Sequence, residues 1–462
     1  MSTDLFFATA TDLGKLLRRK KVSSVELTTT FLDRLEQFGP QYNALAELTR
    51  DLALAQARKA DRVLAKGEAT SPLHGVPYGA KDLLATKGIP TRWGSPPHAD
   101  QVFDYDATVI TKMREAGAVL LGKLAMVEIA GGGGYASPNA SLHGPGLNPW
   151  NVNHWSGGSS SGSGSAVAAG LVPLALGSET WGSITTPSAY CGITGLRPTW
   201  GLVSRYGAME LAWSMDKVGP MARSVEDCGW ALQAIAGFDA NDYTTTEEAF
   251  VFKPRATRKD FRLGVLPLDY SEHPETEKVF EDALRVLRKA GVKLTRTELP
   301  PHNFEEFTRT LLNGEMAAAH KAFIESGKVD ELVDKPQAEG LKDSLKITAA
   351  DYVQAQQKQI VATMGLLQLF QKFDALVAPT LLIEAVTLDT NLRTAFRKRG
   401  GYSVLGASSG LPCLTVPMGF GPHGLPLGLS FTGNLFDENT LLQLGMIYQR
   451  ETEWHQQHPT VE

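Results

Sequence analysis

SGGSSSGSGSAVAAG at 156–170 and LALGSETWGSITTPSAYCGITGLRPT at 174–199 are the stretches on which the reading of this 462-residue chain turns. Together with GGGGYASPNASLHGPGLNPWNVNHW at 131–155, the first has the glycine and serine content of a flexible linker. Its context argues otherwise. It runs directly into the apolar AVAAGLVPLALG at 166–177 and then into the dense, turn-rich second stretch, with no polar boundary between them. A linker separates cores, whereas this segment interrupts one, so its small residues are expected to serve close packing or chemistry.

Outward from there the pattern is α/β. Upstream, HGVPYGAKDLLA at 74–85 reads as short apolar pieces punctuated by Gly and Pro, and DATVITKMREAGAVLLGKLA at 106–125 as a helix followed by a buried strand. Ser23 with Glu26 makes a capping-box start for a helix ending before Gly39, and helical periodicity is expected to run on from about 42 to 66. Downstream, Ser224 with Asp227 suggests a second capping box. FRLGVLPL (261–268), TEKVFEDALRVLRKAG (276–291) and VKLTRTEL (292–299) form a βαβ unit. Residues from about 303 to 372 read as a helical layer or insertion, DALVAPT at 374–380 as a strand, the segments at 410–420 and 424–431 as neighbouring strands, and 437–451 as a closing helix. The expected architecture is one α/β domain over 1–462: N-terminal helices in 1–70, a core in 71–230, and a large mixed, mostly parallel sheet covered by helices on both faces.

Composition narrows the function. Hydrophobic residues make up 43% and charged residues 21%, ample for an extensive core, and 45 Lys plus Arg against 50 Asp plus Glu gives no basic surplus for nucleic acid. Cys191, Cys228 and Cys413 are far apart and without CxxC spacing, which fits neither a disulfide framework nor a structural zinc site. The N-terminal MSTDLFFATATDLGKLLRRKK has its apolar residues before its basic ones and no cleavage site, and no run approaches 18 apolar residues, so a cytoplasmic protein without membrane contact is expected. No His pair shares a helix face for a metal, no phosphate-binding GxxxxGK[ST] occurs, and GGGGYA at 131–136 leads into a Pro-containing loop rather than a dinucleotide-binding helix. GSSSG at 158–162 matches a nucleophile elbow in letters only, because polar, turn-like NPWNVNHW precedes it instead of a buried strand.

Lys81 stands at the end of an apolar strand and turn, a poor place for an ammonium unless something compensates. Taken with the two opening stretches, DKVGPMARSVEDC (216–228), DALVAPT, GLPCLTVP and GLPLGL, it makes nearly the whole chain resemble the amidase signature family, serine hydrolases with a Ser, cis-Ser, Lys triad. The resemblance implies Lys81 as buried general base, Ser159 as the serine of a cis peptide and Ser183 as nucleophile, the two serines 24 residues apart as the family pattern requires. It implies an oxyanion hole of backbone N–H groups from Thr180, Trp181, Gly182 and Ser183. It also implies a covering loop at Ile129 to Gly133, in which Ile129, Gly131, Gly132 and Gly133, with Trp181, would contact substrate. No cofactor and no metal are implied.

The chemistry can be argued from the residues. A serine hydroxyl attacks an amide slowly unless a base takes its proton and donors stabilise the oxyanion. A lysine serves as that base only if burial lowers its pKa by roughly 3 units from about 10.4. The family's D-T-G-G-S-I-R stands here as E-T-W-G-S-I-T, so Glu179, Trp181 and Thr185 depart from the pattern and substrate choice should be altered, Trp181 being either pocket wall or core. The expected activity is hydrolysis of a small linear amide, with carbamates and aryl acylamides as related substrates and a homodimer as one admissible assembly. The alternative is the glutamine-hydrolysing component of a tRNA-dependent amidotransferase, against which the altered signature and a short C-terminus speak. A non-catalytic scaffold has no need to retain Lys81, Ser159 and Ser183 together.

Overall fold

The computed structural model describes residues 5–255, 260–398 and 400–461; Met1–Asp4 of the N-terminal stretch lie outside them. Thirteen strands are present among the described residues: β1 (Leu45–Leu48), β2 (Pro77–Lys81), β3 (Val119–Leu124), β4 (Leu147–Asn148), β5 (Asn151–Trp155), β6 (Leu174–Glu179), β7 (Thr194–Arg197), β8 (Lys217–Ala222), β9 (Arg262–Val265), β10 (Lys293–Arg296), β11 (Ala375–Pro379), β12 (Cys413–Phe420) and β13 (Pro426–Gly433). Eleven of them form one mixed sheet in the order β1-β3-β2-β6-β8-β7-β12-β13-β11-β9-β10, and β4 pairs with β5 apart from it. The expected α/β class and mixed sheet are therefore found. Parallel pairing joins β3, β2 and β6 at one side and β11, β9 and β10 at the other, and antiparallel pairs connect these blocks through the centre.

Helices cover both faces, as strand alternation dictates. On β7, Gly195 faces the helix Thr185–Cys191, where an added Cβ would meet Ser188 Oγ. The opposite pleat carries Leu414 of β12, which packs against Gly445 of the helix Glu438–Glu451. Strands β2, β3 and β8 are buried along their whole length, consistent with near-continuous apolar sequence rather than alternation.

The N-terminal capping box is complete: Ser23 accepts from Glu26 N, and Glu26 reaches back to Ser23 N, opening the helix Ser24–Phe38. Two expectations need correction. The helix expected over about 42–66 begins only at Arg50, because residues 45–48 form β1, an edge strand whose pairing with β3 outweighs their helical propensity. The expected box at Ser224 is half a box. Ser224 caps the helix Val225–Ile235 by accepting from Asp227 N, but the Asp227 carboxylate turns away to receive Ala10 N (2.9 Å), Thr11 N (2.8 Å) and Thr11 Oγ1 (2.7 Å), docking the first turn of the helix Ala10–Arg18.

Residues after β10 form three helices, Phe304–Glu325, Lys335–Ser344 and Ala349–Leu367; the first and third contribute to a second apolar cluster, and the second joins the main core through Ala338 and Leu341. Replacement of Asp227 by Ala removes the acceptor for two buried N–H groups and a hydroxyl, and is expected to cost about 1–3 kcal/mol. The check is the urea midpoint, which should fall at constant m; an unchanged midpoint would mean that the N-terminal helix docks without this carboxylate.

Candidate active site

Two strand ends and a loop converge on one buried point. Lys81 closes β2, and its side chain is fully buried. Its Nζ lies 2.8 Å from Ser159 Oγ and 3.0 Å from Ser178 Oγ on the neighbouring strand β6. The Gly158–Ser159 peptide is cis. Burial pulls the Lys81 amine down to about 7, against the opposing pull of Asp216 and Glu179. Ser178 escaped the sequence reading, although strand alternation along LALGSE placed it and Leu176 on one face of β6.

Ser183 sits on the turn between β6 and the helix Thr185–Cys191, half-buried, with its carbonyl accepting from Ser160 N at 3.3 Å. The turn is held from below. Glu179, the last residue of β6, accepts through Oε2 from Ile184 N (2.8 Å), Thr185 N (2.8 Å) and Thr185 Oγ1 (3.1 Å), satisfying the first donors of that helix. Its Oε1 meets Arg197 Nη1 at 2.5 Å, and both side chains are fully buried. The departures Glu179 and Thr185 thus contact one another, and Arg197 supplies the cation. The neighbouring serines do structural work: Ser160 Oγ donates to Ser178 O, Ser163 Oγ to Leu176 O and Ser165 Oγ to Leu147 O.

Thr180, the first residue past β6, is gripped on two sides. Asp216 accepts from Thr180 Oγ1 (2.5 Å), Leu211 N (2.7 Å) and Ala212 N (3.0 Å), and Lys217 Nζ donates to Thr180 O (3.4 Å) and Gly406 O (3.1 Å). Asp216 is raised above the usual carboxylate range by burial, opposed by those hydrogen bonds. Beside Ser178 and Thr180 opens a cavity of about 170 Å³, whose wall includes Leu83, Ala130, Leu211, Asp216 and Lys217, with Arg205, Tyr206 and Trp213 among its further lining residues.

The loop expected to cover the substrate adopts a left-handed conformation at Ile129 (φ 46°) and Ala130 (φ 50°). Of this segment it is Ala130 that lines the cavity, whereas Gly132 and Gly133 face the helical layer and Gly131 faces the Tyr135 ring. A Cβ on Gly132 would meet Leu211 and Met316, and one on Gly133 would meet the backbone of Gln337 and Leu341. The loop and layer cap each other: Glu128 accepts from Val333 N and Asp334 N, Asp334 accepts from Ala136 N and Ser137 N, and Gln337 Nε2 donates to Glu128 O. Trp181 is half-buried, packs against the apolar cluster of the helical layer and has the Arg309 guanidinium 5.5 Å from its ring.

Cys191, Cys228 and Cys413 are buried free thiols. Among the described residues no group of three His, Cys, Asp or Glu could hold a metal ion, and no helix is long and apolar enough to cross a membrane.

A buried amine in contact with two serines thus lies beside a helix-capped turn bearing a third. The amidase family model matches residues 26–442, and the chain belongs to that family, the amidase signature enzymes. Among curated proteins it is 35% identical to the A component of glutamyl-tRNA(Gln) amidotransferase from Coxiella burnetii, over 98% of this chain and 99% of the relative. It is 37% identical to the corresponding component from Roseiflexus sp., over 98% of each chain. Among solved structures, native peptide amidase from Stenotrophomonas maltophilia superposes with a TM-score of 0.86 at 31% identity, covering 96% of this chain and 97% of that one. A short C-terminus no longer speaks against the amidotransferase alternative, since these relatives are matched along nearly their whole length.

Arg197→Met would leave Glu179 buried without its cation, which is expected to cost about 3–5 kcal/mol. Adding Glu179→Gln should restore part of that loss in a double-mutant cycle measured by denaturant unfolding; strictly additive losses would show that the pair is uncoupled.

Proposed function

We propose that this amidohydrolase cleaves a linear amide through an acyl-enzyme on Ser183, with Ser159 and Lys81 as proton relay and base, and that the whole chain works as one catalytic domain. The observation that carries the reading is the fully buried Lys81 amine in hydrogen-bond contact with Ser159 Oγ. Neutral Lys81 accepts the Ser159 proton while Ser159 takes that of Ser183, whose oxygen attacks the carbonyl carbon. The backbone N–H groups of Thr180, Trp181, Gly182 and Ser183 receive the negative charge on the carbonyl oxygen. Collapse expels the amine, which recovers the proton through the same relay, and water then releases the acid. Ala130 and its neighbours from Ile129 to Gly133 form the cover, clamped by the helical layer. Trp181 bounds the acyl side toward that layer, and the cavity beside Ser178 takes one arm of the substrate.

A second reading is favoured by the curated relatives: glutamine as the amide, with a partner protein receiving the ammonia. Against it stand Trp181 and Thr185, which replace the family's glycine and arginine beside the nucleophile. A panel of glutamine, peptide amides, aryl acylamides and carbamates assayed on the isolated protein separates the two. Turnover of aryl or peptide amides without a partner supports the stand-alone enzyme, and hydrolysis of glutamine alone supports the amidotransferase component.

Ser183→Ala is expected to abolish turnover and labelling by a serine-directed phosphonyl probe; labelling that persists would remove Ser183 as nucleophile. Below about 7 Lys81 carries a proton and cannot accept another, so kcat/KM should rise as pH passes through that value. Lys81→Met should lose at least about a hundredfold in rate at every pH, and an unchanged profile in that variant would end its role as base.

A further inference from the structure

Lys217 is a fully buried lysine that lines the cavity, and the relay does not use it. It opens β8 directly opposite Glu179 in the β6–β8 pairing, and its ammonium reaches past that strand to the carbonyl oxygens of Thr180 and Gly406. An ammonium removed from water is costly, and two backbone carbonyls are modest compensation. The carbonyl it holds belongs to the peptide whose other end is the Trp181 N–H, and a planar peptide transmits a constraint from one end to the other. A donor on its C=O also withdraws density from the amide and strengthens the opposite N–H as a donor. Asp216 fixes the same residue through Thr180 Oγ1, so the peptide is anchored by side chain and carbonyl at once.

We infer that Lys217 is a positioning residue for catalysis: its ammonium orients and polarises the Thr180–Trp181 peptide so that the Trp181 N–H is aimed at the developing oxyanion. The inference rests on the oxyanion hole and nucleophile proposed above. It gives Lys217 the opposite charge requirement from Lys81, which must be neutral while Lys217 must be protonated. The charged groups around Lys217 are Arg197 from β7, Glu179 from β6, Asp216 beside it and Arg205 from the loop before β8. Burial, joined by Arg197, brings its amine down to about 7, against the pull of Glu179 and Asp216. Activity therefore gains an alkaline limb: the acid-side rise set by Lys81 is followed by a fall as Lys217 loses its proton, a narrow bell because both amines are held near 7.

The experiment uses the full chain and an amide that it turns over. Lys217→Met is expected to lower kcat by about ten- to a hundredfold with KM within about twofold, and to flatten the alkaline limb. Binding of a trifluoromethyl ketone, which forms an oxyanion on the enzyme, should weaken by the same factor while a non-reacting amide analogue binds as before. Lys217→Arg, whose guanidinium stays charged, should keep most of the rate and show no fall up to about pH 10. Full kcat in Lys217→Met, or equal weakening of ketone and inert analogue, would overturn the role. Should that variant fail to fold, the unaltered protein decides: a rate that stays level from pH 7 to about pH 10 is incompatible with the inference. The underlying mechanism fails separately, through an active Ser183→Ala, whereas a dead Ser183→Ala beside a fully active Lys217→Met removes only Lys217.

Discussion

The desolvation of the Lys81 amine is the constraint on which the site depends. Water would keep that group protonated across the physiological range, and the sheet excludes it, with β3 and β6 on either side of β2 and serines at the polar contacts. A buried cation is tolerated where neighbours compensate it, and a neutral amine needs no such compensation. The arrangement therefore favours the form that can accept a proton. Asp216 and Glu179 temper the effect, holding the group near neutrality instead of letting it fall further.

Around that point the structure invests in rigidity. The Glu179–Arg197 pair ties the end of β6 to the end of β7 and caps the helix that follows Ser183, so one carboxylate sets both the height of the turn and the direction of the helix. Asp216 and Lys217 do the same for Thr180. The loop at 129–133 is held from outside by reciprocal contacts of Glu128, Asp334 and Gln337, so a helical layer distant in sequence braces the segment beside the candidate site. Glu315 extends the clamp to the cavity rim by accepting from Ser214 N and Ser214 Oγ.

The departures from the family pattern form a coherent set. Glu179 and Thr185 are joined by a hydrogen bond, with Arg197 providing the positive charge to the shared carboxylate. Trp181 exchanges a glycine for a ring that reaches the helical layer and meets Arg309. The layer thus touches the turn bearing Ser183 directly, and in the proposed mechanism a change in its sequence is felt on the acyl side of the site.

Much of this was legible in the sequence. Periodicity gave the βαβ unit and the closing helix, since amphipathic spacing survives in any fold that buries one face. The Gly/Ser-rich stretch and Lys81 marked the region, because an ammonium in an apolar strand and a linker composition inside a core are both costly without a use, and the resemblance to the amidase signature family singled out Lys81, Ser159 and Ser183 within it. The residues of β1 were misread for want of their partner: LAEL can be helix or strand, and only the exposed edge of β3 decides it. The destination of the Asp227 carboxylate, the clamping of the glycine loop by residues far along the chain, and the placing of Lys217 against Thr180 O were likewise beyond reach. Local sequence determines which backbone each segment prefers and which side chains carry chemistry. Which buried charge faces which carbonyl depends on strand order, and that is fixed only when the sheet closes and water leaves.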